Sequence, residues 1–126
     1  MLAVSHIYIR MIKLKNLISE NLAPEGVVYH VTRKRNLPTI KKYGILPSDK
    51  FVGMTDFGAV VFLFNKKEDM EDAMMNWMGD RFSDDEELVL LTINPKNIDL
   101  FPSDAGFEVI TDQIIPWKNI VKIEKI

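Results

Sequence analysis

Of the chain's two histidines, His6 and His30, only His30 sits inside an apolar, β-branched run, Val27-Val28-Tyr29-His30-Val31-Thr32. An imidazole in such a run needs partners for its ring nitrogens, and a carbonyl or hydroxyl can satisfy them with no further role. Thr32 follows two residues later, so strand alternation sends its side chain to the same face as His30. The basic cluster Arg33-Lys34-Arg35 comes next. Two polar groups on one face of a strand end, beside three cations, can wall a pocket for a sugar–phosphate ligand. Residue type leaves both readings of His30 open.

Glu108 is the second candidate. In Gly106-Phe107-Glu108-Val109-Ile110 it alternates to the face opposite Phe107 and Val109. If the face it occupies is bare, Glu108 is simply exposed; if the sheet is packed on both sides, it lines a cleft where its pKa is open to perturbation. The acidic run Asp84-Asp85-Glu86-Glu87 reads as a solvated loop. No Gly-rich phosphate loop, HExxH, GxSxG or EF-hand pattern occurs. The chain has no cysteine and its two histidines are far apart, so no metal is expected.

These residues need elements to hold them. At 126 residues and 47% hydrophobic composition, the chain is sized for one domain with one sizeable core. Ile12, Leu14, Leu17, Ile18 and Leu22 predict an amphipathic helix over 11–22, stopped by Ala23-Pro24-Glu25-Gly26. Residues 1–10 precede it as an expected start-site extension, so 1–25 forms an N-terminal extension and helix and 26–126 the domain proper. Strands are predicted at Val27–Val31, Ala59–Phe64, Leu88–Ile93, Phe107–Thr111 and Val121–Ile126. A helix should start near Leu37, with Pro38 in its first turn, and end at Gly44. A second runs over Lys67–Gly79 with Met70, Ala73, Met74, Trp77 and Met78 on one apolar stripe. Ile45–Gly58 reads as a long loop, and Pro95–Ile98 as a helical turn. The class is α+β.

Residues 1–60 hold nine basic and four acidic side chains, whereas 61–126 hold seven and fourteen. Such asymmetry suits a basic face toward a phosphate-bearing ligand, although chance in a short chain also produces it. A pI near 5.7 argues against tight, sequence-independent nucleic-acid binding. No apolar run approaches membrane-spanning length and no signal-peptide pattern opens the chain, so no membrane association and a cytoplasmic location are expected.

Taken in order, "YHVTRKRNLPTIKKYGILP", "AVVFLF", "LVLLTI" and a late strand bearing one Glu before "IIPWKNI" resemble ADP-ribosyltransferase-like proteins. The wording is nearest to DarT-type DNA ADP-ribosyltransferase toxins and the related RNA 2′-phosphotransferases, and it covers residues 26–126. The resemblance implies a compact, split β-sheet core with flanking helices, and NAD as co-substrate. It implies that His30 hydrogen-bonds the ribose beside the nicotinamide, that Thr32 contacts the same region, and that Phe62 stands where the family has a stacking Tyr. Glu108 matches the catalytic Glu that grips the ribose 2′-hydroxyl and stabilises an oxocarbenium-like cation as nicotinamide leaves. Arg33 or Arg35 would meet the pyrophosphate.

Two departures accompany the match. Phe62 lacks the phenolic hydroxyl, and Gly106 stands two residues before Glu108 where members that modify protein Arg or Asn carry an acidic or amide residue. The expectation is an NAD-dependent mono-ADP-ribosyltransferase acting on a host protein or nucleic acid, a stand-alone phage or bacterial effector. The alternatives are an inactive binding or inhibitor module of the same architecture and an NAD-dependent RNA 2′-phosphotransferase. The last needs more Arg and His around an RNA phosphate than His6 and His30 supply.

Overall fold

β-Branched and aromatic side chains between turn signals produce the predicted strands, and pairing extends some of them. A computed structural model describes residues 22–48, 58–78, 82, 85–103 and 106–126. Along the chain come β1 (Val28–Arg33), α1 (Leu37–Tyr43), β2 (Val61–Phe64), α2 (Lys67–Ala73), β3 (Leu88–Ile93), β4 (Phe101–Pro102), β5 (Glu108–Thr111) and β6 (Ile120–Lys125). The fold is α+β, with one six-stranded sheet ordered β4-β5-β2-β1-β3-β6 and every paired neighbour antiparallel. The predicted helix over 11–22 lies outside the described residues except Leu22, as do residues 1–10 and most of the 45–58 loop.

Register fixes which side chains share a face, because paired residues point the same way. One face carries Val28, Val61, Leu63, Leu91, Ile93 and Val109, covered by Ile40 of α1 and by Ile45 and Ile115. The other carries Tyr29, Val31, Phe64, Leu88 and Leu90, covered by Met70 and Ala73 of α2. Each helix therefore closes one side of the sheet. Full burial of a side chain such as Leu91 or Ile93 contributes about 1.5–3 kcal/mol.

Three local features differ from expectation. The helix at 67 stays α-helical only to Ala73, and a π turn follows over Met74–Met78. Met70 and Ala73 are buried as the stripe requires, Met75 is exposed, and the side chains of Trp77 and Met78 lie outside the description. Pro95–Ile98 is a hydrogen-bonded turn with Asn97 in the left-handed region rather than a helical one. Asn119 holds that turn, its Nδ2 donating to the carbonyls of Asn94 (2.9 Å) and Lys96 (3.0 Å). Strand β4 was not expected, since two residues carry no periodicity.

Gly44 ends α1 at φ 82°, with its N–H donating to Ile40 O at 2.7 Å. An added Cβ would lie 2.6 Å from Ile115 O, on a segment that Ile45 holds through reciprocal main-chain bonds of 2.9 and 3.0 Å. Gly26 also has positive φ, but nothing lies within 4 Å of its would-be Cβ. Gly44→Ala should thus cost about 1–3 kcal/mol in denaturant unfolding, and clearly more than Gly26→Ala. Equal losses would mean that the close approach to Ile115 is not limiting.

Candidate active site

β1 pairs with β3 through six residue pairs, from Val28↔Ile93 to Arg33↔Leu88. Its pairing with β2 is a single one, Tyr29↔Phe64. On the far side of β2, Asn65 N–H donates to Phe107 O, so the odd-numbered main-chain groups at this end of β2 face β5. The carbonyl of Phe62 therefore faces β1. In a continued ladder it would accept from the N–H of Val31. It accepts instead from the side chain of His30, with Nδ1 3.0 Å from Phe62 O.

That bond settles the tautomer. A carbonyl oxygen only accepts, so Nδ1 carries the proton and Nε2 of the neutral ring keeps the lone pair. Burial lowers the His30 pKa from its ordinary value, and the bond to Phe62 O only partly opposes the shift. The ring is neutral at pH 7. The simple reading of His30, a carbonyl partner, is realised at Nδ1.

Phe62 and Glu108 share the α2 face, since Phe62 pairs with Ile110 and Phe64 with Glu108. They are diagonal neighbours on adjacent strands, within reach of one ligand group. The Cα–Cβ bond of His30 leaves on the α1 face, and its ring reaches the Phe62 main chain in the gap. β2 stands between β1 and β5, so the backbones carrying His30 and Glu108 are two strand spacings apart, roughly 10 Å. Glu108 is half-buried opposite Phe64, whose ring stacks on Phe107 with centroids 6.4 Å apart. Helices cover both faces of the sheet, and Glu108 sits on the α2 face.

Thr32 and Arg33 are engaged elsewhere. Thr32 is buried, and its Oγ1 accepts from Asn36 Nδ2 at 3.1 Å, tying the end of β1 to the residue that precedes α1. Arg33 Nε donates to Glu86 Oε2, and the guanidinium lies 5.1 Å from the Phe82 ring centroid. Arg35 Nη2 is 3.5 Å from Glu86 Oε1, and Lys34 Nζ is 3.2 Å from Glu87 Oε2. Each member of the basic cluster thus faces a carboxylate from the acidic run, which sequence had treated as a bare solvated loop. Arg33 and Arg35 share Glu86 and Lys34 meets Glu87, so the cluster's charge is offset in part, at the small net gain usual for such surface pairs.

Two residues near the site carried no sequence signal. Asn65, directly after β2, donates from Nδ2 to Gly106 O at 3.5 Å, and its buried Oδ1 has no hydrogen-bond partner. Tyr29 donates from its hydroxyl to Glu25 Oε2 at 2.7 Å. Burial first, then that hydrogen bond and the charges of Glu25 and Glu124, push the Tyr29 pKa up to about 12. Among the described residues no group of three or more His, Cys, Asp or Glu is placed to hold a metal ion, and no helix is long and apolar enough to cross a membrane. No protein-family model matches the chain, and no curated protein is significantly similar to it.

Two pH responses follow from these environments. The folded pKa of His30 lies below the unfolded one, so its contribution to stability is complete above about pH 6.5 and is lost as pH falls through the lower folded value. His30→Gln keeps a donor for Phe62 O without titrating. Its melting temperature should fall less than the wild type's between pH 7 and pH 5, and parallel curves would refute the assignment. Tyr29 behaves in the opposite sense: its contribution is complete below about pH 10 and lost as pH rises toward about 12. Ultraviolet titration should show one phenol ionising near 12 that disappears in Tyr29→Phe.

Proposed function

We propose that the chain is an NAD-dependent mono-ADP-ribosyltransferase with a compact ADP-ribosyltransferase-like core split between β1 and β2. The observation that carries this reading is the His30 ring bonded to the Phe62 carbonyl where the two strands cease to pair, with Phe62 and Glu108 together on the opposite, α2 face of the sheet. A neutral imidazole with its lone pair at Nε2 accepts a hydrogen bond from a ribose hydroxyl. The Phe62 ring offers a flat apolar surface to the nicotinamide. The Glu108 carboxylate grips the ribose 2′-hydroxyl and stabilises the positive charge that develops on the sugar as nicotinamide departs, an effect strengthened wherever water is excluded. The acceptor is a nucleophilic group of a protein or nucleic acid.

Thr32 and Arg33 drop out of the proposed NAD contacts, because a buried hydrogen bond occupies one and a carboxylate faces the other. The same neutralisation gives the RNA 2′-phosphotransferase reading no observation of its own. A binding module that has lost turnover is the second reading. It is favoured by the absence of the Phe62 hydroxyl and by the paired state of Arg33 and Arg35, which removes two cations from a pyrophosphate.

Labelled NAD incubated with the protein and cell lysate separates the readings. Transfer of label to a macromolecule that falls by a factor of about a hundred to a thousand in Glu108→Gln supports the enzyme. NAD at one hundred times its dissociation constant should also raise stability by about 2.7 kcal/mol. Thermal stabilisation by NAD without transfer supports the module. If NAD neither stabilises the protein nor is cleaved, both NAD-based readings fail.

A further inference from the structure

The two outer strands of the sheet are unlike each other. β4 is two residues long and ends in Pro102, a residue that cannot donate to a further strand. β6 is six residues long, and among the described residues its outer side pairs with nothing. Val121 is 59% exposed and Ile123 41% exposed on this edge. A long edge bearing exposed β-branched residues is a template for one more strand.

The main chain fixes which residues would offer their groups to it. Ile126 N–H donates inward to Leu88 O, so in the regular part of β6 the even-numbered residues face β3 and the odd-numbered ones face outward. Val121 lies in the irregularity opposite Thr92 and Ile93. The outward N–H and C=O groups are thus those of Ile123 and Lys125, the sites at which an antiparallel neighbour exchanges paired hydrogen bonds.

Charge selects that neighbour. The strand reads Ile120-Val121-Lys122-Ile123-Glu124-Lys125. Centred on Ile123, an antiparallel second copy of the same strand sets each Lys122 opposite Glu124 of the other copy, and Ile123 opposite Ile123. Lys122 and Glu124 then form the pairs without main-chain hydrogen bonds, where side chains approach most closely. A shift one way sets Lys122 against Lys122, and a shift the other way sets Glu124 against Glu124. Shifts by a single residue would flip the faces. Within one chain Glu124 already gathers Lys122 (3.3 Å) and Lys67 (3.4 Å), so its carboxylate is held on the α2 side of the strand, ready for a third cation.

We propose that β6 is a self-association edge: two copies of this chain join β6 to β6 about a two-fold axis through Ile123, giving one continuous twelve-stranded sheet. The contact is independent of the NAD reading, because β6 lies at the sheet's edge and the β1–β2 gap lies two junctions away.

Sedimentation equilibrium at roughly 100 μM should show a dimer for the native chain. Lys122→Glu alone sets acid against acid, and Glu124→Lys alone sets base against base, so each should weaken dimerisation by about tenfold or more. An equimolar mixture of the two variants restores opposite charges at every position and should recover the dimer. Recovery also shows that both variants are folded, and circular dichroism melts provide the same check separately. A native chain that stays monomeric at this concentration overturns the proposal. So do single variants that dimerise as tightly as the native chain, or folded variants whose mixture stays monomeric.

Discussion

One hydrogen bond organises the centre of this molecule: His30 Nδ1–H to the carbonyl of Phe62. β1 and β2 are the middle strands of the sheet, yet they share only the pair Tyr29↔Phe64. Separating two central strands exposes main-chain acceptors to an apolar interior, where each lacking a donor costs about 1–3 kcal/mol. The imidazole supplies the donor that Val31 would otherwise have given. Because the ring donates at Nδ1 and partial burial lowers its pKa, it stays neutral, with its lone pair at Nε2. The break in the sheet and the proposed chemistry therefore share one cause.

Around that junction the polar groups bind the elements together. Tyr29 of β1 reaches Glu25, whose other carboxylate oxygen accepts from Lys67 N–H at the start of α2. Lys67 in turn reaches Glu124 of β6. At the opposite end of β1, Arg33, Lys34 and Arg35 meet Glu86 and Glu87 just before β3. The excess of basic residues in the first half of the chain and of acidic ones in the second is thus partly consumed where β1 and β3 lie side by side. It is less a field for a ligand than a set of local matches.

Strand identity was well written in residue type. Leu88–Ile93 has the bounds its apolar run predicts, and Val28, Val31, Val61 and Leu63 are buried as β-branched and aliphatic runs between turns require. The Gly44 stop and the Pro38 start of α1 were equally legible, since each depends on the backbone of a single residue. The π turn after Ala73 and the two-residue β4 were not, because packing decides the first and pairing with β5 the second. Candidate site residues divided in the same way. His30 and Glu108 stood out as polar groups in apolar strands, while Asn65 looked like an ordinary residue after a strand. Thr32 and Arg33 looked like ligand contacts because their partners, Asn36 and Glu86, could not be read from spacing.

Residue pattern alone specifies the α+β class, the positions of the main strands, and an imidazole and a carboxylate on strands near the two ends of the domain. These follow from local rules of periodicity, turn chemistry and the cost of burying a polar group. Long-range contacts set the rest: β1 and β2 part after one pair, Phe62 and Glu108 share a face, and the cations after His30 meet Glu86 and Glu87. Strand order and register are contacts between residues distant in sequence. Their energies come from packing and hydrogen bonds that no window of neighbouring residues contains.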